Sequence, residues 1–138
     1  MGKALGIDFG TKRTGIAITD AMQIIAGGLT TVSTHLLDDF IADLVQKESI
    51  ECIVLGDPKN LDGSNTDSTG HVNGFLKRLQ KNYPEIPIHR IDERFTSKIA
   101  KQSIFNSGIK KKGRKNKALI DEVSATIILQ DYLNFNKI

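Results

Sequence analysis

Asp8 closes the run Leu5-Gly6-Ile7-Asp8, and Asp92-Glu93 closes Ile88-His89-Arg90-Ile91, so carboxylates stand at the exits of two apolar segments. A third carboxylate, Asp121, precedes Ala125, Ile128 and Tyr132 by four, seven and eleven residues, which puts it on the apolar stripe of a helix. A carboxylate on a buried surface is costly unless it is paired or bound to a cation. Three of them converging on one sheet edge would repel strongly without one. With oxygen ligands only, that cation should be Mg2+ or Mn2+. The chemistry that calls for such a site is phosphodiester hydrolysis, in which two metals about 3.5–4 Å apart activate water and stabilise the leaving oxygen. Each group also has a plainer reading. Asp8 can cap the turn that follows it, and Asp92-Glu93-Arg94 can form an internal ion pair at a helix start. Side chains alternate along a strand, so only one of Asp92 and Glu93 can share a face with Asp8.

Cations accompany the carboxylates. Gly10 and Gly15 bracket Thr11-Lys12-Arg13-Thr14, a short hairpin turn in which the glycines are expected to supply positive φ. Its two cations and two hydroxyls suit a phosphate lying beside a carboxylate-bound metal. Lys110, Lys111, Lys112, Arg114, Lys115 and Lys117 place six positive charges within eight positions. The chain's net charge is +3, so everything outside this loop sums to −3. Basicity that local is the electrostatic footprint of a polyanion-binding loop, and nucleic acid is the expected partner. A merely solvated charged loop is the alternative.

The elements that must carry these residues follow from periodicity. Leu5 and Ile7 take one face of the first strand while Ala4, Gly6 and Asp8 share the other. A second strand follows Gly15. Gly27-Gly28 is expected to break the chain before a third, β-branched strand at 29–34. Thr34 is placed to cap a helix over 35–48, with Leu36, Leu37, Phe40, Ile41, Leu44 and Val45 inward. Residues 50–55 form a continuous apolar run, as a strand covered on both faces does. The polar loop 57–69 leads to a helix over 69–83 with Val72, Phe75, Leu76 and Leu79 inward. Residues 86–91 give a fifth strand, and Thr96 or Ser97 can cap a helix ending at Asn106-Ser107-Gly108. The last helix spans 117–133, with Asp121 in its first turn, where the helix dipole favours an anion, and Glu122 solvated. A meander followed by strand–helix crossovers predicts a mixed five-stranded sheet: antiparallel strands 1–3, then parallel strands, with helices on both faces. Sites in such sheets form at the carboxyl ends of the strands.

The 138 residues bound one domain, 1–138, and 39% apolar with 25% charged residues is a globular composition. No apolar run reaches a membrane span and the N-terminus has no signal-like apolar region, which predicts a cytoplasmic protein. The single cysteine, Cys52, lies in an apolar run and reads as a core residue without a disulfide partner.

Taken together, Gly6-Ile7-Asp8-Phe9-Gly10-Thr11-Lys12-Arg13-Thr14-Gly15-Ile16-Ala17, Val54-Leu55-Gly56, Asp62-Gly63-Ser64, Asp92-Glu93-Arg94-Phe95-Thr96-Ser97 and Asp121-Glu122-Val123-Ser124-Ala125 with Ile128-Leu129-Gln130-Asp131-Tyr132-Leu133 resemble the YqgF/RuvX family nearly end to end. The resemblance implies the RNase H-like fold shared with RuvC resolvases, a divalent-metal nuclease activity and an acidic triad. Carried over by position, that triad falls on Asp8, Glu93 and Asp121, which selects Glu93 over Asp92. Nucleic acid would then be held by Lys12, Arg13, Arg94 and the cations of the 110–117 loop. The family is described both as a nuclease that matures the precursor of small-subunit ribosomal RNA and as a Holliday junction resolvase. Asp57 departs from the family pattern, which usually has an apolar residue before Pro58.

Two other classes share some of these features. Asp-x-Gly-Thr followed by a strand also resembles the phosphate-binding hairpin of actin-like and sugar-kinase ATPases, but those close two lobes over ATP and 138 residues build one. A non-catalytic nucleic-acid-binding accessory protein would keep the fold and the basic loop without the metal. Fold does not choose between an rRNA end and a branched DNA. A monomer suffices for the first, whereas a junction cut on two strands calls for a homodimer.

Overall fold

A computed structural model describes residues 2–57, 69–92 and 117–135, with the backbone alone for Asp57, Thr69, Asp92, residues 117–121 and Phe135. Five strands are present: β1 Lys3–Asp8, β2 Arg13–Thr19, β3 Ala26–Ser33, β4 Ile50–Asp57 and β5 Ile88–Asp92. They form one sheet in the order β3-β2-β1-β4-β5. β1 pairs antiparallel with β2 and β2 with β3, while β4 is parallel to both β1 and β5. This is the expected mixed sheet. A 3-10 turn, Thr34–Leu36, leads into α1, Leu37–Lys47; α2 spans Thr69–Asn82 and α3 spans Lys117–Phe135. The expected helix over 96–108 lies outside the described residues.

Strand alternation sorts the side chains into two cores. Leu5, Ile7, Ile16, Ile53 and Leu55 pack with Leu37 and Ile41 of α1 and with Val72, Phe75 and Leu79 of α2. Ala4, Ala17, Cys52 and Val54 pack on the opposite face with Ala125, Ile128 and Leu129 of α3. Fully burying a Leu or Ile side chain contributes about 1.5–3 kcal/mol, so register along β1 and β4 is strongly specified. A side-chain bond from Arg78 Nε to Asp38 Oδ2, 2.9 Å, ties α2 to α1, and the same guanidinium lies over the Phe75 ring.

The two faces differ in residue size, and the helices respond. On the α3 face the strands offer Ala4, Gly6, Ala17 and Gly28, which let the helix come close. A Cβ added at Gly6 would lie 2.8 Å from Leu129 Cβ and 3.0 Å from the Ala125 carbonyl oxygen. At the far end of α3, Cys52 Sγ donates to Tyr132 Oη at 3.8 Å, and the Tyr132 ring meets His89 at 4.8 Å. Burial, with the Cys52 hydrogen bond, pushes the Tyr132 hydroxyl up to about 12, and burial likewise raises the Cys52 thiol. Both groups therefore stay neutral and serve packing.

Several local expectations are corrected. Gly27 and Gly28 lie inside β3 and do not precede it, because Gly28 accommodates Glu122, whose carboxylate an added Cβ would strike. Glu122 is accordingly half-buried and not simply solvated. Thr34 makes no cap: Ser33 and Leu36 precede the 3-10 turn and α1 without any side-chain cap bond. Asp121 is the fifth residue of α3, one turn beyond the first. β4 runs on through Gly56 to Asp57, and β5 starts at Ile88, after Pro87 has accepted a bond from the Ile53 N–H.

Two glycine substitutions should separate close approach from mere flexibility. Gly6→Ala should destabilise the protein by about 1–3 kcal/mol, since both atoms it meets belong to α3 and must retreat. Gly74→Ala, in the middle of α2 with only Arg78 Nη1 at 3.9 Å, should stabilise it by about 0.5–1 kcal/mol. Denaturant melts of the two variants beside the wild type read both signs.

Candidate active site

Asp8 is the last residue of β1, half-buried, and pairs with Gly15 of β2. Its neighbours hold the backbone from the opposite face. Ile7 is fully buried among the α1 and α2 side chains, and Phe9 stacks on Phe75 with ring centroids 5.1 Å apart. Pinning both neighbours to one core leaves Asp8 to the α3 face, with Ala4 and Gly6.

The direction of α3 fixes what stands opposite. Tyr132 reaches Cys52, which pairs with Ala4, whereas Ala125 and Leu129 overlie Gly6. The helix therefore runs antiparallel to β1, with its N-terminal end toward Asp8. The part of α3 that precedes Ala125 therefore lies toward the end of β1 that carries Asp8.

β4 and β5 end at the same edge, where Asp57 pairs with Asp92. Along β5, His89 meets Tyr132 and Ile91 packs into the α3-face core, while Ile88 packs into the other. Alternation gives register position 92 to the face of Ile88, opposite to that of Asp8. Glu93 and Arg94 lie outside the described residues, as do Lys110, Lys111, Lys112, Arg114 and Lys115. Lys117 is the first residue of α3. Among the described residues no group of three His, Cys, Asp or Glu side chains is assembled to hold a metal. Asp8 is the one member of the expected triad whose side chain is described.

The turn beside Asp8 is closely built. Lys12 is exposed at its tip and Arg13, half-buried, begins β2 opposite Ser33. A Cβ on Gly10 would overlap the Arg13 carbonyl oxygen, so glycine is required there by close backbone approach and not by positive φ. The Thr34 hydroxyl donates to the Gly10 carbonyl at 2.6 Å, and the Thr34 N–H donates to the Lys12 carbonyl at 3.0 Å. Sequence reasoning misses this residue, because a threonine ahead of an amphipathic run signals a helix cap and nothing in the pattern signals a bond 24 residues back.

A family model described as "RuvX: Holliday junction resolvase" matches residues 2–135. A protein of Flavobacterium johnsoniae named as a candidate pre-16S rRNA nuclease is 52% identical over 134 residues, covering 97% of each chain. One of the same name from Bacteroides fragilis is 49% identical over the whole of both chains. Among solved structures, Thermus thermophilus RuvC bound to a Holliday junction substrate superposes with a TM-score of 0.59 at 13% identity, covering 98% of this chain and 96% of that one. The fowlpox virus Holliday junction resolvase gives 0.56 at 12% identity, covering 97% and 99%. At that identity the likeness is one of fold, the RNase H-like sheet and its helices. Matched from residue 2 to residue 135, the chain belongs to the RuvX family.

Proposed function

We propose that this protein is a metal-dependent endonuclease that hydrolyses phosphodiester bonds and processes the 5' end of pre-16S rRNA. The observation that carries it is Asp8: a half-buried carboxylate at a strand exit, on the face covered by α3, at the end of β1 toward which the N-terminal part of α3 runs. About 50% identity along the whole length to proteins named for that activity supports the substrate. Asp8, Glu93 and Asp121 form the acidic triad in this reading. Register position 92 falls on the face opposite to that of Asp8, which favours Glu93 over Asp92 as its partner.

The donor set suits a hard cation. It is all carboxylate, and the groups that would draw a softer metal are elsewhere: Cys52 and His89 pack against Tyr132 toward the other end of α3. Asp8, Glu93 and Asp121 would hold Mg2+ or Mn2+, which supplies activation of water and stabilisation of the leaving oxygen when bound. The chain's own work is to align the substrate. Lys12 and Arg13, in the turn and strand that follow Asp8, would take a phosphate, Arg94 would steady its neighbouring carboxylate, and Lys110, Lys111, Lys112, Arg114, Lys115 and Lys117 would neutralise the nucleic-acid backbone. A single domain acting as a monomer in the cytoplasm fits an RNA end. The second reading, resolution of a four-way DNA junction by a homodimer, draws on the description of the matched family. Cleavage of pre-16S rRNA and of a four-way junction, side by side with Mg2+ or Mn2+, decides between them. No cleavage of either would leave a nucleic-acid-binding accessory role.

Asp8→Asn should lower cleavage more than about a hundredfold, beyond the usual cost of disturbing a ligand's outer partners. Because crowded carboxylates repel when no metal is bound, the same variant should keep or raise the melting temperature in metal-free buffer. A clear fall in that temperature would make Asp8 structural.

Replacing Lys111, Lys112, Arg114 and Lys115 with Gln should weaken binding and flatten the plot of log K against log salt. The slope should change by about 0.7 to 0.9 for each phosphate that the variant no longer neutralises. Single-turnover cleavage at saturating substrate should change little if the loop is a tether, and should fall if ordering the loop also seats Asp121. Filter binding at several salt concentrations, with single-turnover rates, measures both.

A further inference from the structure

In the turn that follows Asp8, Thr11 and Lys12 are exposed and Gly10 has no side chain. The described residues fasten it through Thr34. Thr34, where β3 passes into the 3-10 turn, donates its hydroxyl proton to the Gly10 carbonyl at 2.6 Å and its N–H to the Lys12 carbonyl at 3.0 Å. Its hydroxyl oxygen also lies 3.0 Å from that of Thr14, which is fully buried. With the Thr34 proton committed to Gly10, the Thr14 hydroxyl is the donor of that pair. Both ends of the Gly10-Thr11-Lys12 turn are thereby fastened to one side chain and its backbone, and Thr14 orients that side chain from below. Threonine and serine at a helix entry ordinarily cap it. Here neither the 3-10 turn nor α1 receives a side-chain cap, so the hydroxyl is used on the turn at the expense of the helix.

We propose that Thr34 is a positioning residue for the phosphate-binding turn, holding Gly10-Thr11-Lys12, which follows Asp8 in the chain, in one shape before substrate arrives. The inference rests on the nuclease reading and adds to it which residue organises the substrate contact. Its physical content is preorganisation: a turn already in its binding shape loses less freedom when a phosphate docks. Asp8 itself is held by Ile7 and Phe9 and does not depend on Thr34. The effect should therefore fall on substrate affinity more than on the chemical step.

Thr34→Val keeps the side chain's shape and the backbone bond to Lys12, and removes only the hydroxyl. It should raise KM and weaken nucleic-acid binding about tenfold, the factor one hydrogen bond is worth, with kcat changed less than about twofold. NMR relaxation of the Thr11 and Lys12 amides without substrate should show increased motion in this variant. Thr34→Ser, which restores the hydroxyl, should return KM, affinity and amide relaxation to wild-type values. A purely structural threonine would lower the melting temperature and leave KM untouched in assays far below it. The proposal is overturned if Thr34→Val binds and cleaves as the wild type does, or if Thr34→Ser fails to restore affinity. If the wild type itself neither binds nor cleaves nucleic acid, the nuclease reading falls and this inference with it.

Discussion

The seat of α3 on Gly6 is the contact from which the rest of the arrangement follows. A helix can lie this near a sheet only where the strand beneath has no side chain, and β1 offers Ala4 and Gly6 in succession on that face. Closeness fixes the lateral position of the helix, and Cys52 with Tyr132 fixes its far end. Larger residues on β1 would lift α3 away from the face that carries Asp8.

β1 also shows how one strand serves two purposes. Its odd-numbered members, Leu5 and Ile7, join the core beneath α1 and α2, and Phe9 extends that set by stacking on Phe75. The even-numbered members are small until Asp8. Apolar anchorage on one face thus immobilises a polar group on the other. That explains how a half-buried carboxylate is held at a strand end.

Much of this is legible in the amino-acid order, and the failures have physical causes. Strand alternation in Leu5-Gly6-Ile7-Asp8, the apolar run at 50–55 and the stripes of α1 and α2 specify the sheet and its helix faces, because burial acts on patterns of local period. Thr34 and the Gly27-Gly28 pair mislead because their roles depend on partners far away in the chain: the Gly10 carbonyl for one and Glu122 for the other. Local propensity makes the threonine a cap and the glycines a break. Gly10 does sit in a tight turn, but for a different reason than expected, since an approaching carbonyl and a positive φ both require glycine and leave the same mark in a sequence. The choice of Glu93 over Asp92 comes from family resemblance.

β3 ends the sheet, and no further strand pairs with it among the described residues. An exposed edge is a template on which a second chain can add a strand. Between Ile16 and Ala17 of β2 the pairing skips from Thr30 to Gly28, so Leu29 is an extra residue bulged out of β3. A bulge bends the strand and breaks the even spacing of the N–H and carbonyl groups along it. The two glycines beside it weaken strand character further. The misfit that lets Glu122 settle over Gly28 therefore also spoils the outer edge for an incoming strand, and gives the protein a built-in resistance to edge-to-edge aggregation.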